Sequence, residues 1–117
     1  MKLEEFSQDD FERASRRLVR SLTRGKTTSS QPKAILLGGQ SGAGKTTIHR
    51  IKQREFQGNI IIIDGDSYRS FHPNYLGLQE KYGKDSVDYT KVFAGQMVEY
   101  LVDELSKQGY HLLSRVL

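Results

Sequence analysis

Apolar residues recur near the start of the chain at helical spacing. Phe11, Ala14, Leu18 and Leu22 fall three or four positions apart, with Arg13, Arg16, Arg17 and Arg20 between them, so one stripe faces a core and the other faces water. Ser7 supplies a capping hydroxyl with Asp10 three residues on, and Phe6 and Phe11 occupy the two positions of a hydrophobic staple. The pattern predicts an amphipathic helix from near Gln8 to Arg24-Gly25. Residues 26–32, small and polar and ending in Pro32, read as a loop. The chain thus divides into 1–30, an N-terminal helix and linker, and 31–117, the body.

The periodicity then changes. Ala34-Ile35-Leu36-Leu37 and Ile60-Ile61-Ile62-Ile63 are short continuous apolar runs, the second β-branched throughout, and both predict strands buried on two faces. Between them Ile48-His49-Arg50-Ile51-Lys52-Gln53-Arg54 reads as a helix ending near Gln57-Gly58-Asn59. Strand, helix and strand make a right-handed βαβ unit with both carboxyl ends on one edge. Asp85-Ser86 offer caps for a long helix whose stripe is Phe93, Met97, Leu101 and Leu105, closed by Gly109, and Tyr110-His111-Leu112-Leu113 begins a third strand. The fold class is therefore α/β: a parallel sheet preceded by an amphipathic helix.

Composition narrows the function. With 117 residues and 36% hydrophobic content the chain is one domain at most. The longest apolar run is four residues and Met1-Lys2-Leu3-Glu4-Glu5 resembles no signal peptide, so the expectation is a cytoplasmic protein without a membrane partner. The absence of Cys excludes disulfides, Cys-ligated zinc and a thiol nucleophile. The net charge of +4 hides a segregation: residues 13–54 hold eleven Lys/Arg and no Asp or Glu. Such a stretch suits a polyanionic ligand, or is a solvated basic face.

The motif inside that stretch favours the ligand. Gly39, Gln40, Ser41, Gly42, Ala43, Gly44, Lys45 and Thr46, followed by Thr47, match the P-loop pattern at every fixed position, between a strand and a helix, so the expected sheet is of the P-loop NTPase type. Its glycines let backbone amides turn inward onto phosphate oxygens, Lys45 reaches the β- and γ-phosphates, the Thr46 hydroxyl takes a Mg²⁺ position, and the following helix aims its positive end at the same anions. ATP and Mg²⁺ are the expected cofactors. Asp64-Gly65-Asp66 falls at the end of the second strand, beside this loop, where Asp66 suits a general base for an attacking hydroxyl. Both carboxylates are equally suited to capping a turn. The aromatic-rich loop 67–75 offers Arg69 for a substrate phosphate, while His72 before Pro73 reads as a packing residue. Glu99 lies between apolar positions and is either a partly enclosed, substrate-facing carboxylate or an exposed helical Glu.

Together the stretch from Gly38 to His49, the Ile63-Asp64-Gly65-Asp66-Ser67-Tyr68-Arg69 element, the His72-Pro73-Asn74-Tyr75 loop and Phe93-Ala94-Gly95 resemble the zeta toxin family of the epsilon/zeta toxin–antitoxin class, most closely its PezT type. The resemblance runs from about Phe11 to Leu113. It implies an ATP-dependent kinase of UDP-N-acetylglucosamine that phosphorylates the sugar 3′-hydroxyl. By position Lys45 and Asp66 match the catalytic pair, Thr46 the Mg²⁺ hydroxyl, and Asp66, Arg69 and Glu99 the substrate side. It also implies an epsilon-type antitoxin protein as partner, and no nucleic acid. An adenylylsulfate-kinase-like enzyme shares an acidic element followed by Arg. A non-catalytic nucleotide- or antitoxin-binding remnant is the reading from another class.

The resemblance stops at Ser114-Arg115-Val116-Leu117, where the family continues into a large C-terminal half with further substrate residues and phosphate-contacting arginines. A truncated parallel sheet is the expectation, inactive on its own and with an exposed edge that favours aggregation.

Overall fold

The computed structural model describes residues 2–37 and 45–115, the side chains of Lys45 and Thr46 excepted. Its elements are α1 (Gln8–Thr23), β1 (Ala34–Leu37), α2 (Lys45–Glu55), β2 (Ile61–Ile63), a 3-10 segment (Gly65–Phe71), α3 (Tyr75–Tyr82), a second 3-10 turn (Gly83–Ser86), α4 (Val87–Gln108) and β3 (Leu112–Arg115).

Helix α1 starts where its capping box requires: Ser7 Oγ accepts from the Asp10 amide at 3.0 Å, and the Asp10 carboxylate accepts from the Ser7 amide at 3.5 Å. Phe6 and Phe11 stack at 6.2 Å between centroids, forming the staple. The helix buries Phe11, Ala14 and Leu18 and turns Arg13, Arg16, Arg17 and Arg20 outward.

The three strands are parallel in the order β1-β3-β2. Sequence-adjacent strands of the βαβ unit are therefore not neighbours, because β3 enters between them, pairing Leu36 and Ile63 with Ser114 from opposite sides. One face of β2 and β3 carries Ile61, Ile63 and Leu112 against Phe93, Met97, Leu101 and Leu105 of α4, with Phe11, Ala14 and Leu18 of α1 completing the core. The four α4 side chains are fully buried, and each contributes about 1.5–3 kcal/mol relative to exposure.

Two local expectations fail. β1 is not buried on both faces: β1 and β2 are both edge strands, but α4 lies over β3 and β2, and Leu36 of β1 stays 55% exposed. Asp85 and Ser86 do not cap α4 through their side chains, since Ser86 is already helical and the 3-10 turn leads straight in. The far end of α4 is as expected: Gly109, at φ 96°, donates to the Leu105 and Ser106 carbonyls. A side chain there would strain the backbone and place Cβ 3.2 Å from the Ser29 carbonyl oxygen.

The segment between α1 and β1 is bonded to the loops at the base of the sheet. Lys26 Nζ donates to the Gly58 carbonyl at 2.6 Å, the Thr27 amide donates to Asn59 Oδ1 at 2.8 Å, and the Lys33 amide donates to His111 Nδ1 at 3.0 Å. No helix among the described residues is long and apolar enough to cross a membrane.

Candidate active site

Parallel strands put their carboxyl ends on one edge, where β2 runs into the acidic turn. Gly39, Gln40, Ser41, Gly42, Ala43 and Gly44 lie outside the described residues, as do the side chains of Lys45 and Thr46. What is described is their frame. β1 ends at Leu37 and α2 begins at Lys45, so a strand precedes the motif and a helix opens within it. The first turn of α2 contains no acidic residue, so nothing on the helix itself neutralises its positive end. Thr47, in the first turn, is exposed.

Beside this frame lies the turn after β2. The Asp64 carboxylate accepts from the Asp66 amide at 3.3 Å and from Ser67 Oγ at 3.4 Å, so Asp64 starts the 3-10 segment in the manner of a helix cap. Asp66 does not cap. It projects from the first turn, exposed, and its Oδ1 accepts from Arg69 Nη2 at 3.0 Å. Arg69 thus reaches back to Asp66, so whichever anion it meets has to compete with that carboxylate.

A narrow cleft joins the elements: His49 from α2, Asp64 and Asp66 from the turn, Val98 from α4 and Arg115 from the end of β3 all line it. Its volume is about 20 Å³, room for roughly one water. Val98 and Arg115 also line a wider groove of about 540 Å³, with Leu36, Gly95, Glu99 and Val102 around it. Glu99 is exposed rather than enclosed, and it lines this groove. The groove, not the cleft, has the size of a small-molecule site.

His49 and Arg115 are the residues that sequence reasoning passed over. In the sequence Arg115 falls where the family resemblance stops. The central position of β3 brings it to the same cleft as Asp66. Tyr68 was read only as part of an aromatic loop, yet it is buried beneath the turn. Its hydroxyl has no hydrogen-bond partner. Burial is the main cause that pushes it up to about 12, and the Asp64 carboxylate adds to the rise. The Asp64 backbone tempers that rise without satisfying the hydroxyl.

The donor chemistry fits Mg²⁺ held with a nucleotide. Among the described residues no three His, Asp or Glu side chains cluster as a metal cage. By residue type the motif supplies the Thr46 hydroxyl and the acidic turn the Asp64 and Asp66 carboxylates, oxygen donors of the kind a Mg²⁺ shared with phosphates uses.

A parallel sheet with β3 between β1 and β2, a strand–loop–helix passage and an acidic turn at the same edge define a P-loop-type α/β fold. The chain belongs to the zeta toxin family, whose model matches residues 18–114. It is 67% identical over 113 residues to Toxin PezT of Streptococcus pneumoniae serotype 4, covering 97% of this chain and 45% of that protein. It is 37% identical over 109 residues to Toxin zeta of Streptococcus agalactiae, covering 93% of this chain and 38% of that protein. A solved structure from the PezAT chromosomal toxin–antitoxin system of Streptococcus pneumoniae superposes with a TM-score of 0.95 at 67% identity, over 98% of this chain and 47% of that one. The chain therefore spans under half the length of these relatives.

Proposed function

We propose that these residues form the nucleotide-and-base half of a zeta-toxin kinase site, which transfers the γ-phosphoryl group of ATP to the 3′-hydroxyl of UDP-N-acetylglucosamine. The observation that carries this reading is the shared cleft in which α2, opening directly after the phosphate-loop motif, meets Asp66. Residues 39–47 hold the triphosphate, with Lys45 on the β- and γ-phosphates and Thr46 on Mg²⁺. When bound, Mg²⁺ neutralises charge on the phosphates.

Asp66 takes the proton of the attacking hydroxyl as its oxygen bonds to the γ-phosphorus and the bond to the β-phosphate oxygen breaks, releasing ADP. The ion pair with Arg69 must open first. Asp66 is exposed and Arg69 half-buried, and pairs near the surface are worth about 0–1 kcal/mol, so an incoming sugar nucleotide can exchange it for a contact between Arg69 and substrate phosphate. Glu99 and Arg115 face the acceptor from the wider groove. An epsilon-type antitoxin protein is the partner that this reading implies.

The test joins residues 1–113 to the remaining length of the 67%-identical toxin and supplies ATP with UDP-N-acetylglucosamine or with adenylylsulfate. Phosphorylated sugar nucleotide is the expected product. Turnover of adenylylsulfate alone would move the assignment to that class of kinase. The Asp66–Arg69 pair favours a second reading, a nucleotide- or antitoxin-binding domain that transfers nothing. ATP binding without turnover of either acceptor would establish it.

A further inference from the structure

The chain ahead of α1 runs across the turn that follows the Asp66–Arg69 element. Asn74 Nδ2 donates to the Leu3 carbonyl at 2.9 Å, and His72 Nε2 lies 2.9 Å from the Glu4 carbonyl. Phe6 adds an apolar anchor, edge-on to Phe93 at 5.0 Å and to His72 at 5.7 Å. His72 is 3% exposed, and its amide donates to the Arg69 carbonyl at 3.1 Å, closing the 3-10 segment that bears Asp66.

The tautomer of His72 follows from its partners. The Asn74 amide donates to Nδ1 at 3.0 Å, and a backbone N–H is only a donor, so Nδ1 carries no proton. The Glu4 carbonyl is only an acceptor, so Nε2 carries it. Both ring nitrogens are committed, one to the turn and the other to residues 2–6.

We propose that residues 2–6 are a brace on the acceptor-side turn, and that His72, fixed as its Nε2–H tautomer, is the positioning residue that ties the brace to the element bearing Asp66. The brace lies outside the span matched by the family model, which begins at residue 18. Its catalytic consequence rests on reading Asp66 as the base; its structural consequence does not.

Two substitutions separate the two nitrogens. His72→Gln puts an amide nitrogen near the position of Nε2 and keeps donation to Glu4. His72→Asn puts an amide oxygen near the position of Nδ1, keeps the turn's bond and drops the brace. Hydrogen exchange at the Ser67 and His72-position amides, both bonded within the segment, reads the turn without any turnover.

In the 117-residue chain, His72→Asn should speed exchange at these amides about tenfold, with α4 amides unchanged, and His72→Gln should stay near wild type. Nitrogen-15 shifts of the wild-type ring should show Nε2 protonated and Nδ1 bare. In the joined full-length protein, His72→Asn should lower kcat and leave KM for ATP unchanged, with His72→Gln restoring it. The opposite tautomer, or unchanged exchange in His72→Asn, overturns the brace whatever the activity. Faster exchange without sugar-nucleotide phosphorylation supports the brace and instead counts against the kinase reading.

Discussion

β1 and β2 are read from the sequence in the same way, as short apolar runs, yet they end in opposite environments. Ile61 and Ile63 of β2 lie under α4 and α1 and are almost wholly buried, whereas Leu36 of β1 is 55% exposed beside an open groove. Both are edge strands paired to β3, so the difference is one of cover: α4 packs over β3 and β2 rather than over β1. An apolar run therefore marks a strand without reporting its cover, which the placement of α4 on the sheet decides. The uncovered region is also the one next to Glu99 and Arg115, so the exposed edge and the candidate acceptor groove are one surface.

The contrast is sharpened most by removing a covering side chain. Phe93→Ala, in α4 beneath Phe6 and Phe11, should cost about 3–5 kcal/mol, seen as loss of the cooperative transition in denaturant unfolding. Full retention of stability would mean that α4 does not hold the covered half.

A smaller effect comes from Tyr68. Its folded value of about 12 lies above the ordinary 10.0, so the neutral hydroxyl is favoured by folding. That contribution is complete below pH 10 and is lost as pH rises towards 12, a fall of about 2–3 kcal/mol. The difference in stability between wild type and Tyr68→Phe, followed by urea unfolding from pH 9 to pH 11.5, should change by that trend. At neutral pH the Phe variant should be as stable or about 1 kcal/mol more so, because it removes an unpartnered hydroxyl. A pH-independent difference would place the ring in water.

The capping box gives an effect of about 1 kcal/mol: Ser7→Ala should lower stability by that amount, with α1 amides exchanging faster. The smallest change in stability is at the edge. Leu36→Ser should alter unfolding free energy by less than about 0.5 kcal/mol while reducing self-association in sedimentation. A loss comparable to Phe93→Ala would show that β1 is covered after all.

The sequence made legible what local chemistry determines. Ser7 with Asp10, the α4 stripe, Gly109 and the passage from β1 through the phosphate-loop motif into α2 all rest on residues a few positions apart. The strand order was not legible, because β3 enters between β1 and β2 through pairings between residues far apart in sequence. For the same reason the position of Arg115 beside Asp66 was not legible. α3 was missed because it buries only Leu78 and so carries no apolar stripe. The Asp66–Arg69 pair was within reach, since the two residues are three apart and of opposite charge, but neither is considered there as a partner of the other. His72 was read correctly as a packing residue, and its two committed nitrogens became visible only once residues 3 and 4 were beside it.

The central claim is that the acidic turn at the sheet edge supplies the base while the phosphate loop supplies the nucleotide site. ATP affinity and the rate of sugar-nucleotide phosphorylation, measured together in the joined full-length protein with Asp66→Asn, test that division of labour most directly. The amide keeps the shape of the side chain and loses its basicity, so affinity should stay close to wild type while transfer slows about 10²-fold or more. An equal loss of ATP affinity, or undiminished transfer, would contradict it.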